Sequence, residues 1–205
     1  MSEAAEIEPI GKRERMKVAN RLAILAAARR VFAQMGYDAA SVRDIIRGTE
    51  LASGTFYNYF RSKEEVFEAI ADDSARRFKP LLRAARESAT SFEDYLRAAF
   101  DAYFTFVAEE NQIEGRPIDE RRPHVRMDTP EMMAVYEEVR QGLEGAIMRG
   151  MAPRIDADYL ACACIGIAQE VGTAMLRRAP PDIESASQFA VGLVLKGLEG
   201  APRKG

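Results

Sequence analysis

A chain of 205 residues, 47% of them hydrophobic and 30% charged, has apolar material for a core and charge to solvate its surface, with a net charge of only −3. No run is expected to cross a bilayer, which takes roughly 20 consecutive apolar residues, and residues 1–17 lack the apolar segment of a secretion signal. A single histidine, His124, and no glycine-rich nucleotide loop or metal-ligand cluster leave an enzyme little to work with, so no metal or cofactor is expected.

Residues 1–17 are polar and weakly periodic, and read as a mobile basic arm. A first helix is predicted from Val18 to Met35, because Leu25, Ala28 and Phe32 recur at helical spacing with Ile24 and Val31 beside them. Gly36 supplies the stop. Ser41, with Asp44 three residues on, opens a second helix that buries Val42, Ile45 and Ile46. A turn over Gly48–Ala52 leads to a third, opened by Ser53 or Gly54 and ending near Phe60. Ser62 and Glu65 cap a fourth, whose apolar side is Val66, Phe67 and Ile70.

Charge divides unevenly along this order. From Gly11 to Lys63 there are 11 basic and 4 acidic side chains, a local charge of +7, which leaves −10 for the rest. A basic module on an acidic body is the distribution expected where one end meets a polyanion.

Ser91 and Asp94 start a helix through about Glu110. Residues 111–128 are irregular and arginine-rich. Thr129-Pro130-Glu131 is a strong helix start, and that helix stops near Gly150. Asp156 caps the next, through about Arg178, and Pro180-Pro181 ends it. A last helix spans about Glu184 to Leu198. Cys162 and Cys164, two apart, fall on different faces and read as two small buried thiols of a cytoplasmic protein, with no disulfide between them. No strand periodicity is evident. The prediction is an all-α fold of about nine helices: an arm over 1–17, a three-helix domain with a helix-turn-helix over 18–74, and a larger helical domain over 75–205.

The second and third helices with their turn read as a helix-turn-helix, whose second helix enters the major groove of DNA. Ser53, Gly54 and Thr55 are small enough to let the backbone approach. Tyr57 and Tyr59 can give hydroxyls to phosphate, and Asn58 is the side chain best suited to a base edge. Lys63 and Arg43 supply positive charge to the backbone. Phe56 and Phe60 should face inward.

The segment Arg21–Ile70 resembles the N-terminal domain of the TetR family of bacterial repressors. The matching residues are Ile24-Leu25, Ala27-Ala28, Phe32, Gly36-Tyr37, Ser41-Val42-Arg43-Asp44-Ile45, Gly54 to Phe60, and Ser62-Lys63-Glu64-Glu65-Val66. The resemblance covers about 50 of 205 residues. It implies a homodimer on a palindromic operator of double-stranded DNA, released by a small-molecule inducer. The family's turn reads Ala-Gly-Val-Ser, where this chain has Thr49-Glu50-Leu51-Ala52. Glu50 in the left-handed conformation of that glycine would cost about 1 kcal/mol.

Past about residue 75 the resemblance fades. Small residues stripe the last two long helices, and family members pair two such helices from each subunit. Cys164, Ile167, Ala168, Val171, Met175, Phe189, Leu193 and Lys196 are the expected dimer interface. Phe100, Tyr103, Phe104, Met133 and Tyr136 are the expected lining of an apolar inducer pocket, with Arg122, from the cluster Arg116, Arg121, Arg122, His124 and Arg126, for an anionic head. The same side chains would also build a plain core. A DNA-binding protein of this fold controlled by a protein partner, or by no ligand, stays open as the alternative.

Overall fold

The structure, a computed structural model, describes residues 11–114 and 128–201, and every described element is a helix. It divides into two compact units, residues 1–70 and 71–205, with the boundary four residues ahead of the expected one.

In the first unit, α1 runs Lys12–Met35, α2 Val42–Arg47, α3 Ser53–Tyr57, and α4 starts at Lys63 and continues to Ser88. Gly36 ends α1 with φ 78°, a left-handed conformation that glycine adopts without steric cost. Ser41 and Asp44 close a reciprocal capping box: the Asp44 amide donates to Ser41 Oγ at 3.3 Å, and the Ser41 amide donates to Asp44 Oδ2 at 3.0 Å. The Ser41 hydroxyl and amide hold the Asp44 carboxyl below the usual carboxylate range. Ile24, Leu25, Ala28 and Phe32 from α1 meet Ile45, Phe56, Phe60 and Val66 in one apolar cluster. Full burial of a side chain such as Phe56 contributes about 1.5–3 kcal/mol.

Three expectations change here. The arm expected over residues 1–17 is helical from Lys12, six residues before the predicted start, while residues 1–10 lie outside the described residues. Lysine, arginine and methionine are good helix formers, so α1 extends without needing an apolar stripe there. α3 closes at Tyr57 rather than near Phe60. Glu50 escapes the left-handed conformation, since no non-glycine residue among those described has positive φ. Thr49 builds the turn instead: its hydroxyl donates to the Ile46 carbonyl at 2.8 Å and accepts from the Leu51 amide at 3.2 Å.

The second unit holds the remainder of α4, then α5 (Phe92–Glu114), α6 (Pro130–Met148), α7 (Ala157–Leu176) and α8 (Ile183–Glu199). Thr129, Asp156 and Asp182 cap α6, α7 and α8 through their side-chain oxygens. Helices α5 and α6 come close at Gly142, where an added Cβ would lie 2.2 Å from the Tyr95 hydroxyl. Buried Glu138 of α6 receives Arg86 of α4 at 2.8 Å, with Arg83 at 3.6 Å. Eight helices are described, against about nine predicted.

One expectation about membranes also changes. By length and composition α7 could cross a bilayer, with a mean hydropathy of 1.4. Alanine, cysteine and glycine raise that mean while supplying close packing, and Leu160, Ala161, Cys164 and Met175 are buried in the core with α5, α6 and α8. The expectation of two buried thiols holds for Cys164 alone: Cys162, on the opposite face of α7, is exposed.

Candidate nucleic-acid interface

Packing of α1 against α2 is what displays the turn and α3. An added Cβ on Gly48 would come 3.3 Å from the Ala27 Cβ, and the Arg30 guanidinium reaches across to the Gly48 carbonyl at 2.9 Å. Phe56 is 1% exposed and fixes the rotation of α3. That rotation leaves Ser53, Gly54, Tyr57 and Asn58 exposed, while Thr55, Tyr59 and Lys63 are half-buried; Arg43, on α2, is exposed as well. Nothing lies within 4 Å of a Cβ placed on Gly54, so this end of α3 is open to close approach. Tyr57 is 59% exposed and rests edge-on against Phe56, 5.4 Å between ring centres.

Tyr59 and Lys63 have partners that sequence reading did not foresee. The Asn20 side-chain amide donates to the Tyr59 hydroxyl at 3.4 Å, joining α1 to the end of α3. The Lys63 ammonium donates to the carbonyls of Tyr37, Asp38 and Ala40, at 2.9, 3.3 and 3.1 Å, and lies 4.5 Å from the Tyr37 ring centre. An ammonium has three donors. Lys63 therefore anchors the loop between α1 and α2, and the role of phosphate contact expected for it is open only if it gives up part of that anchor.

In the second unit, Phe100 and Phe104 stack at 5.9 Å and are buried in the core. Tyr103 packs beside them, its phenol pushed up to about 12 by burial, chiefly, and by the Glu170 charge. Tyr136 packs on the same core and its hydroxyl donates to Asp158 Oδ1 at 3.4 Å. Met133 is not among them; it is 56% exposed. Arg122, with Arg116, Arg121, His124 and Arg126, lies outside the described residues. A groove of about 460 Å³ opens elsewhere, between α4 and the start of α6, lined by Arg76, Lys79, Arg83, Pro130 and Glu131 among others. The i, i+3, i+7 spacing of its three cations is the signal that could have found it.

Of the expected dimer residues, Cys164 and Met175 are buried in their own unit, and Ile167, Ala168 and Val171 are half-buried. Phe189, Leu193 and Lys196 are exposed on α8. The open face of α7 is the other one, carrying Tyr159, Cys162, Ala163, Gly166 and Thr173.

Residues 24–70 match the family model described as bacterial regulatory proteins, tetR family. The chain is 36% identical over 98 residues to the HTH-type transcriptional repressor ComR of Escherichia coli, covering 47% of this chain and 44% of that protein. It is 30% identical over 89 residues to the HTH-type transcriptional activator FasR of Mycolicibacterium smegmatis, covering 43% and 41%. The chain thus spans less than half the length of either relative. Among solved structures, the fatty acid degradation regulator FadR from Bacillus halodurans superposes with a TM-score of 0.68 at 23% identity, over 87% of this chain and 96% of that one. FadR from Bacillus subtilis, in complex with stearoyl-CoA, gives 0.70 at 18% identity, over 86% and 98%. At these identities the structures speak to the fold.

Proposed function

We propose, for a chain that belongs to the tetR family of bacterial regulatory proteins, that it is a cytoplasmic transcriptional repressor, gripping a palindromic operator as a homodimer and released by a small molecule. The observation that carries the reading is the α2–turn–α3 surface. Arg43, Ser53, Gly54, Tyr57 and Asn58 stand exposed within the segment Gly11–Lys63, whose charge is +7, while Phe56 and Ile45 anchor them beneath. Tyr57 and Arg43 hold the phosphate backbone, and Asn58 reads a base edge.

The dimer seam is assigned to the open faces of α7 and α8. Tyr159 is 79% exposed, Phe189 60% and Leu193 48%, and nothing lies within 4 Å of a Cβ on Gly166, Gly192 or Gly197. Large side chains beside bare backbone are what a two-fold helix pair interlocks. The inducer is assigned to the aromatic cluster of α4 and α5, where Phe78 meets Tyr103 at 5.5 Å and Phe106 at 5.4 Å. An amphipathic molecule with a long apolar body suits such side chains, and a neighbour of the same fold holds stearoyl-CoA.

The test is selection of duplexes from a randomised pool by the full-length protein. A two-fold symmetric consensus is expected. Asn58→Ala should lose preference at one position in each half-site, by about 1–3 kcal/mol, and Tyr57→Phe should weaken binding to all sequences alike. Unaltered profiles in both variants would refute the docking. For the sensor, a thermal-shift panel of acyl-CoA thioesters and free fatty acids is expected to contain a compound that stabilises the protein by about 2.7 kcal/mol at 100 times its Kd and loosens DNA. Binding without loosening would refute release.

A further inference from the structure

The first half of α1 contributes nothing to the core. Residues 11–19 are all exposed, and the first buried residue is Ile24. This stretch carries Lys12, Arg13, Arg15 and Lys17 against a single acid, Glu14. No side chain caps its start. A short helix standing off its domain is marginal in water by itself.

Its direction is fixed by two contacts one turn further in. Asn20 donates to the Tyr59 hydroxyl at 3.4 Å, and the Arg21 guanidinium sits 5.4 Å from the Phe60 ring centre. Asn20 and Arg21 therefore mark the side of α1 that looks toward the end of the reading helix. At about 100° per residue, Arg13 and Lys17 lie within about 30° of that direction, and Arg15 lies about 170° from it. The eight residues before Asn20 run about 12 Å past Tyr59 at 1.5 Å per residue. That length spans successive phosphates of a duplex.

The geometry points to α1 as a second, helical DNA contact: Arg13 and Lys17 form a phosphate-binding face that extends the footprint of α3, while Arg15 faces solvent. The occupant is duplex backbone, chosen by charge complementarity and by continuity with the Tyr57–Tyr59 surface. Lys17 pairs with Glu14 at 3.3 Å, both side chains more than half exposed. Such a pair is weak and yields readily to phosphate. The inference rests on the DNA-binding reading above, and differs from a mobile basic arm in predicting helical phase.

The experiment compares full-length wild type with Arg13→Ala, Lys17→Ala and Arg15→Ala. Each binds a random-sequence duplex of about 30 base pairs, followed by fluorescence anisotropy between about 50 and 200 mM salt. Alanine is the best helix former, so none of the three should unfold α1, and equal melting points check this. Losing one phosphate contact lowers the slope of log K against log salt by about 0.9 per subunit, or about 2 for a dimer. Arg13→Ala and Lys17→Ala should each show that drop, with Arg15→Ala unchanged. Equal drops in all three would mean a flexible arm and overturn the helical face. No drop in any would mean a solvated helix and overturn the contact. Failure of the wild type to bind duplex would instead strike the parent reading.

Discussion

Lys63→Met separates the two roles open to this residue, loop anchor and DNA contact. The variant keeps an apolar stem and removes the ammonium. Three carbonyls, of Tyr37, Asp38 and Ala40, lose their donor, and the contact 4.5 Å from the Tyr37 ring centre goes too. Hydrogen bonds to a charged group contribute about 1.5–3 kcal/mol. The site is half-exposed, so water can take up some of the loss and the lower end applies. A cation over a ring adds about 0.5–1 kcal/mol. The total is about 2–3 kcal/mol. At about 2–4 °C per kcal/mol for a chain of this length, the melting point should fall by about 5–10 °C. Calorimetry measures that fall, and the salt dependence of duplex binding, taken well below the new midpoint, should keep its slope. A melting point within about 1 °C of wild type, with a slope reduced by about 2 for the dimer, would refute the anchor and restore Lys63 as a phosphate contact.

Gly142→Ala places a methyl 2.2 Å from the Tyr95 hydroxyl and forces α5 from α6, so denaturant unfolding should show a loss of about 1–3 kcal/mol. Ser41→Ala breaks the capping box of α2 and should cost about 1 kcal/mol by the same measurement. Alkaline pH should destabilise the protein through Cys164, whose burial holds the thiol up at about 12 against an ordinary 9.0. A raised folded pKa gives stability that is complete below 9 and lost as pH rises toward 12, so the melting point should fall over that window, and less steeply in Cys164→Ala. Phe189→Glu with Leu193→Glu puts like charges across the proposed two-fold seam, and light scattering should find a monomer, against the dimer expected of the wild type.

Much of this architecture was legible in the sequence because its signals are local. Ser41 with Asp44, Thr129 with Pro130, Asp156 and Gly36 each fix a helix end through atoms within four residues, and each end falls within about two residues of its predicted place. The α3 surface was legible for a related reason: Phe56 and Phe60, four apart, can both be buried only if Tyr57 and Asn58 point outward. The partners of Lys63 were not, because the carbonyls it serves lie 23 to 26 positions away. Long cationic side chains reach whatever the fold brings near, and a phosphate and a ring of carbonyls ask for the same donor.

The phase of α7 was hidden for a different reason. Two stripes run along it, Cys164, Ile167, Ala168, Val171 and Met175 on one, Tyr159, Cys162, Ala163, Gly166 and Thr173 on the other. Apolar residues stand on both, although Gln169 and Glu170 interrupt the exposed one, so periodicity gives a helix but marks its inside only weakly. The helix needs that duplication if it packs on α5, α6 and α8 with one face and on a second subunit with the other. It is also why α7 has the hydropathy of a membrane span. Where both faces of a helix read as buried and only one is buried in the subunit, the remaining face is the place to look for an interface. Under the proposed dimer, that face carries exposed Cys162 and not buried Cys164.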